Sequence, residues 1–154
     1  MTASDIAAWW GAGLATVVLG WDIYKWKTSG PRIRVKARPN MQTSGDRHRT
    51  KHVFFEVVNQ GDRPATLTHL CIYQYRSEAD RKRKMRDVSF IVPNPSNGAG
   101  LPHELGPGQR WTGSIEQDSF IAGLNGEARY LHVGITHSGS EKEVLKPFSI
   151  ADPE

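Results

Sequence analysis

Residues 20–40 read GWDIYKWKTSGPRIRVKARPN, and this stretch separates two kinds of sequence. Residues 6–21, which lead into it, carry no charged side chain. In residues 32–38, by contrast, basic and apolar side chains alternate with the two-residue period of a β-strand. Because proline ends a helix, we predict that Gly30-Pro31 marks the boundary between an N-terminal helix and a β domain.

The composition is that of one globular domain with an appendage. The chain has 154 residues, of which 38% are apolar and 23% are charged, as in ordinary folded proteins rather than disordered ones. Fifteen glycines and nine prolines favour a turn-rich β structure. Cys71 is the single cysteine, which excludes an internal disulfide and fits a reducing compartment.

Basic residues are concentrated in the first part of the chain. Through Arg86 there are sixteen Lys and Arg against seven Asp and Glu, a balance of +9. From Asp87 onward there are four against nine, a balance of −5. This asymmetry suggests that one part of the molecule faces an anionic surface, unless folding mixes the two halves.

The uncharged run predicts a membrane-spanning helix within residues 1–27. Between Ile6 and Tyr24 the only charged residue is Asp22, and a helix of about 19 residues covers roughly 28 Å, close to the thickness of a bilayer's hydrocarbon core. We expect Ser4 or Asp5 to cap the first turn. Aromatic and basic residues of the kind found at membrane interfaces lie along it: Trp9, Trp10, Trp21, Tyr24, Trp26, Lys25 and Lys27.

A cleaved signal peptide and the core helix of a soluble protein are the alternatives. A signal peptide carries its basic residues before the apolar segment, whereas this chain carries them after it. The sequence therefore favours an uncleaved anchor. Because flanks rich in Lys and Arg stay in the cytoplasm, we expect the N-terminus outside and the C-terminal domain in the cytoplasm.

One stripe of the predicted helix consists of small residues at intervals of four, namely Ala8, Ala12, Thr16 and Gly20. Small residues let two helices approach closely in lipid, so the stripe predicts a homo-oligomer formed through the helix. The alternative is that small residues are simply common in membrane spans.

After a linker at residues 28–31, we predict a β domain over residues 32–150 and a C-terminal tail at 151–154. Seven strands are expected, at 32–38, 52–59, 65–75, 88–92, 110–116, 128–136 and 144–150. The third is apolar on both faces and is expected to be central, whereas 41–47 is expected to be a polar loop and 118–126 a short helical turn. Because no long amphipathic helix separates the strands, the pattern favours a mainly β antiparallel sandwich over a parallel α/β sheet.

Two segments resemble immunoglobulin-like domains of bacterial proteins. FFEVVNQGDRPATLTHLCIY, residues 54–73, is similar to a pair of strands joined by an N-x-G turn with a following proline. LPHELGPGQRWTGSI, residues 101–115, is similar to the proline-glycine turn that enters a later strand. The whole chain resembles small bacterial single-span membrane proteins with an immunoglobulin-like β-sandwich domain, which implies no catalytic residues.

The residues capable of chemistry do not form a recognisable site. The pairs considered are His48 with His52, His69 with Cys71, His132 with His137, and Glu141 with Glu143. None has zinc-ligand spacing or a cluster that completes it, and the two glutamates fall in what we interpret as a solvated hairpin. No nucleophile, phosphate-loop or metalloprotease motif occurs. We therefore expect a protein that is not an enzyme and has no metal or cofactor.

A dense basic segment lies between the predicted third and fourth strands: Arg81, Lys82, Arg83, Lys84 and Arg86. Near a membrane, such a cluster can bind anionic lipid headgroups, and an acidic protein partner is a second possibility. Nucleic acid is the less favoured partner, because few aromatic residues interleave with the cluster. The fourth interpretation is a solvated loop that binds nothing.

These features indicate a non-enzymatic binding or scaffolding module anchored at the cytoplasmic face of the bacterial inner (plasma) membrane. Its expected partners are the lipid bilayer and an anionic lipid or acidic protein. The alternatives are an exported, membrane-tethered β domain with an envelope or cell-surface role and an accessory subunit of a membrane enzyme complex.

The basic segment provides the first test. Reversing Arg81, Lys82, Arg83 and Lys84 to glutamate is expected to weaken binding of the soluble fragment to anionic liposomes, because each cation near such a surface contributes about 1 kcal/mol. Co-sedimentation at low salt measures this. Unchanged binding there would remove the lipid role of the segment.

Overall fold

The computed structural model describes residues 2–42, 50–83, 85–95, 100–124 and 130–150. The chain divides into two compact units, Met1–Gly30 and Pro31–Glu154. The first unit contains a long apolar helix, and the second is built mainly of β-strands. The expected combination of an N-terminal helix and a mainly β domain is confirmed.

The helix α1 spans Ala3–Thr28, so it extends into the predicted linker by one residue. Its N-cap is Thr2, not Ser4 or Asp5 as expected. Asp5 instead takes the third helical position and accepts a hydrogen bond from the Thr2 backbone N–H at 2.8 Å, as in a capping box. Lys25 and Lys27 occupy the last turn, where a cation interacts favourably with the helix dipole.

No residue of α1 is buried. Within the described part of the chain, it is the one helix long and apolar enough to cross a membrane, and a signal sequence near an N-terminus meets the same criteria. The absence of buried residues distinguishes α1 from the core helix of a soluble protein.

The second unit contains eight strands and two short helices among its described residues, rather than the seven strands predicted. The strands are β1 (Ile33–Gln42), β2 (Lys51–Asn59), β3 (Ala65–Gln74), β4 (Val88–Val92), β5 (His103–Leu105), β6 (Arg110–Glu116), β7 (Leu131–His137) and β8 (Ser140–Phe148). The short helices are α2 (Glu78–Lys82) and α3 (Gln117–Ala122). α3 falls where a helical turn was predicted.

The strands form two antiparallel sheets. The first sheet has the order β1-β2-β6, and the second has the order β4-β3-β7-β8, with the short β5 also paired to β3. β3 is an interior strand, as its apolar faces predicted. β5 was missed because three residues between proline-rich turns are too few to show a period.

β1 is longer than predicted. It includes Met41 and Gln42, which were assigned to a polar loop. The register against β2 shifts between Arg38 and Met41, where Pro39 has no backbone N–H to donate and Asn40 adopts a positive φ of 57°. The rest of the predicted loop, residues 43–47, lies outside the described residues.

Both sheets contribute to one hydrophobic core. Its buried members are Ile33, Val35, Val53, Phe55, Val57, Ala65, Leu67, Leu70, Ile72, Val92, Leu105, Trp111, Leu131, Val133, Ile135 and Ile150. Phe148 of the second sheet meets Phe55 of the first edge to face, with ring centroids 6.4 Å apart. Leu131, Val133 and Ile135 of β7 are alternate residues and all belong to this core, whose members all lie in the second unit.

The β2–β3 connection differs from the expected pair of joined strands. β2 and β3 lie in different sheets, so the turn carries the chain from one sheet to the other. Asn59, the last residue of β2, is fully buried at this turn. Its Nδ2 donates to the carbonyl oxygens of Arg63 at 2.7 Å and Leu105 at 3.0 Å. Its Oδ1 accepts from the backbone N–H groups of Gly61 at 2.9 Å and Arg32 at 3.3 Å.

Asn59 therefore satisfies four backbone groups from separate parts of the chain. Asn59→Ala is expected to reduce the free energy of unfolding by about 2–4 kcal/mol, because buried donors and acceptors lose their partners. Asn59→Asp should also destabilise, since a carboxylate cannot donate to the two carbonyls. Urea denaturation measures both. The exposed Asn94→Ala is the control and should change stability by less than about 0.5 kcal/mol; an equally small effect at Asn59 would show that the amide is dispensable.

Candidate functional site

A cleft of about 500 Å³ lies between α2 and β8, on the side of the second sheet away from the core. Its lining residues are Tyr75, Arg81, Lys82, Arg86, Glu141, Lys142, Glu143 and Leu145. Four are basic and two are acidic. Ser77 caps the short helix α2, its Oγ accepting from the Asp80 backbone N–H at 3.1 Å, and α2 places Arg81 and Lys82 at the cleft.

Two of the lining residues, Arg86 and Glu143, form a cluster with the Tyr73 side chain. The Tyr73 hydroxyl donates to Glu143 Oε1 at 2.8 Å, and Arg86 Nη2 donates to Glu143 Oε2 at 3.1 Å. The Arg86 guanidinium also lies over the Tyr73 ring, 4.0 Å from its centroid. Burial raises the pKa of Tyr73, and its hydrogen bonds with Cys71 and Glu143 add to that rise, so the phenol remains a neutral donor.

Gly134 on β7 makes room for the Tyr73 ring. A Cβ at this position would lie 2.7 Å from Cε2 of Tyr73 and 3.1 Å from Cδ2 of Leu145. The missing side chain thus allows the tyrosine to lie across the sheet and reach Glu143 on β8.

This arrangement corrects one prediction about the charged residues. Glu143 was expected in a solvated hairpin, yet it is partly buried and accepts from two partners. Arg86 was expected to bind an anionic partner, which stays a prediction; its exposed side chain also contacts Glu143 and Tyr73. Both partners of Arg86 are remote in sequence, so the local charge pattern gave no sign of them.

Of the other residues in the predicted basic segment, one forms an ion pair and two are exposed. Arg81 Nε donates to Glu78 Oε2 at 2.7 Å, an exposed ion pair of the kind worth at most about 1 kcal/mol. Lys82 and Arg83 are exposed, and Lys84 lies outside the described residues. Lys142 joins Lys82 at the cleft from β8, about sixty positions along the chain. An anionic group would meet these two lysines first.

Among the described histidines, His132 and His137 are buried. His132 Nδ1 lies 3.3 Å from the Tyr130 carbonyl oxygen, to which it can donate only as N–H, and its ring meets Tyr75 edge to face at 5.2 Å. His137 Nδ1 accepts from the Gly139 backbone N–H at 3.1 Å. Burial lowers the pKa of both imidazoles, so both are neutral near pH 7.

The described histidines among the candidate metal ligands lie apart from one another in groups smaller than a metal site needs. Among the described residues, no group of three or more His, Cys, Asp or Glu side chains converges on one point. His69 is exposed and lies near the Thr136 hydroxyl. His48 lies outside the described residues.

The predicted interface aromatics of α1, namely Trp9, Trp10, Trp21, Tyr24 and Trp26, are each more than 60% exposed. In the small-residue stripe, the Thr16 hydroxyl donates to the Ala12 carbonyl at 2.8 Å, so its polarity is satisfied within the helix. That bond is compatible with an apolar environment. Self-association through the stripe stays a prediction.

Comparisons with known proteins identify no family for the chain. No protein-family model matches it, and no curated protein matches it. One solved structure, titled "X-ray structure of Northeast Structural Genomics Consortium target SoR45", aligns with 80% of this chain and 88% of its own. The identity is 18% and the TM-score is 0.33, a level of similarity that establishes neither fold nor function.

The buried histidines predict a loss of stability in mild acid. Both pKa values are lowered in the folded state, so below the unfolded value of about 6.5 the unfolded chain binds more protons. Stability should be full above that pH and fall below it, by up to about 1.4 kcal/mol per pH unit for each histidine. Urea unfolding at pH 7.5 and at 5.5 measures the loss.

The double variant His132→Gln/His137→Asn should flatten this pH dependence, and the amide oxygen introduced in place of the His137 ring should still accept from the Gly139 N–H. The exposed His69→Gln is the control and should retain the wild-type pH dependence. If the double variant loses as much stability as the wild type between the two pH values, the histidines are not its cause.

Proposed function

We propose that this chain is a single-pass membrane protein whose α1 remains in the mature protein. The observation that carries the proposal is the helix itself, which has an apolar surface, no buried residue and a length of 26 residues. A helix of 26 residues is about 39 Å long, enough to cross the hydrocarbon core with its ends at the headgroups. The exposed aromatics would lie near those ends.

The basic residues support an uncleaved anchor with its N-terminus outside. Lys25 and Lys27 lie in the last turn of α1, and four more cations follow by residue 38. Signal sequences carry their positive charge before the apolar segment, whereas Lys25 and Lys27 follow it here. The β unit would then lie at the cytoplasmic face of a bacterial inner membrane.

We also propose that the β unit is an immunoglobulin-like sandwich. In such domains the first two strands share one sheet with a later strand, and the third strand lies beside the last two in the other sheet. The orders β1-β2-β6 and β4-β3-β7-β8 follow this rule. The β2–β3 turn that changes sheets is consistent with it.

The function proposed for this unit is binding or scaffolding at the membrane rather than catalysis. The cleft between α2 and β8 offers Lys82 and Lys142 to an anionic partner, while its other cations are held by carboxylates. An accessory subunit of a membrane enzyme complex would use the same surface. Copurification of a catalytic subunit with the intact protein would favour that form.

Fusions of compartment-specific reporters to the C-terminus test the topology. A cytoplasmic reporter should be active and a periplasmic reporter inactive, because Lys25 and Lys27 keep the flank that follows α1 in the cytoplasm. Lys25→Glu/Lys27→Glu should increase the periplasmic signal, whereas Lys142→Glu/Lys146→Glu, the same charge change far from α1 in sequence, should not. A periplasmic C-terminus in the wild type would contradict the proposed topology.

A further inference from the structure

One face of the first sheet carries a cluster of cations that the sequence did not fully reveal. Strand alternation turns Val35 and Val57 towards the core and the intervening side chains outward. The outward cations are Arg34, Lys36 and Arg38 on β1 and Arg110 on β6. These four residues are called the basic sheet face below.

The strand register arranges these side chains in rows across β2. Arg34, Val58 and Arg110 form one row, Lys36 lies opposite Glu56 in the next, and Arg38 lies opposite Phe54. Neighbouring cations on β1 are about 7 Å apart along the strand, and β6 lies about 10 Å from β1. Arg110 thus joins the cluster although it is more than seventy positions away in sequence.

In the part of the chain that the structure describes, one carboxylate lies among the four cations. Glu56 accepts from Arg38 Nη2 at 3.3 Å and from Arg110 Nε at 2.9 Å, while both arginine side chains stay at least 60% exposed. Arg34 and Lys36 are exposed and make no ion pair with another described residue. Glu116 lies at the far end of β6, where it accepts from Ser119. The face therefore has a net positive charge.

We propose that the basic sheet face binds the anionic headgroups of the membrane that holds α1. Cations spread over an open sheet fit a surface of many phosphates, because no single small anion can contact all of them. Only residues 29–32 separate the last residue of α1 from the first of β1. The inference rests on the proposed function, since the anchor supplies the membrane.

The test uses the full chain in lipid nanodiscs, which leave both membrane faces open to solvent. Discs of phosphatidylcholine alone are compared with discs that also contain phosphatidylglycerol. A water-soluble amine-reactive ester labels the lysines, and mass spectrometry measures the labelling rate of Lys36 against the exposed Lys146 on β8. Lys36 should react at least about fivefold more slowly in the anionic discs, and high salt should remove the difference.

Two charge-matched variants locate the effect. Arg34→Gln/Arg110→Gln should abolish the protection of Lys36, because each cation contributes roughly a fivefold change in binding. Arg63→Gln/Arg76→Gln, which removes two exposed cations that lie neither on the basic sheet face nor in the lining of the cleft, should leave it intact. Equal labelling of Lys36 in the two kinds of disc, or equal loss of protection in both variants, would overturn the proposal.

Poly-glutamate added to phosphatidylcholine discs tests an acidic protein as the partner. Protection of Lys36 as strong as that from anionic lipid would assign the face to acidic proteins and overturn the lipid assignment. The result is independent of the reporter experiment: a periplasmic C-terminus would contradict the topology without changing protection in the discs.

Discussion

An apolar helix that buries none of its side chains within its own chain needs another apolar environment. α1 is such a helix, with five aromatic side chains more than 60% exposed. Apolar surface gains about 25 cal/mol for each Å² removed from water, so this helix is far more stable in lipid than in solution. The β unit, for its part, completes its core from residues 33–150. In the proposed single-pass protein the membrane supplies that environment, and the proposed place of the β unit follows from it.

Strands in which apolar residues recur at every second position could be predicted from the sequence. Leu131, Val133 and Ile135 follow a strict period of two and all lie in the core. β5 was not predicted because a strand of three residues is too short to show a period. β1 continues past Pro39, which has no backbone N–H, because its register against β2 shifts at that point. The role of Asn59 depends on carbonyls and N–H groups brought together by folding, so no local pattern indicates it.

The location of the cationic surfaces was harder to predict from the sequence than the fold. A run of like charges in sequence says nothing about which carboxylates face it after folding. Thus Arg86 is held by Glu143, fifty-seven positions away, which leaves the 81–86 segment less cationic than its composition implies. Conversely, Arg110 comes from the acidic half of the chain and joins Arg34 across β2. Among the described residues, the pairing of the strands therefore adds a cationic β face to the basic segment that the sequence shows.

The central claim, that α1 is a permanent anchor, is tested most directly by the intact mass of the protein in isolated membranes after an alkaline wash. We predict a chain that resists extraction and whose mass includes the whole of α1, Ala3–Thr28. A shorter chain that begins after the apolar run would show that α1 is a cleaved signal sequence. That result would contradict the anchor and, with it, the cytoplasmic placement of the β unit.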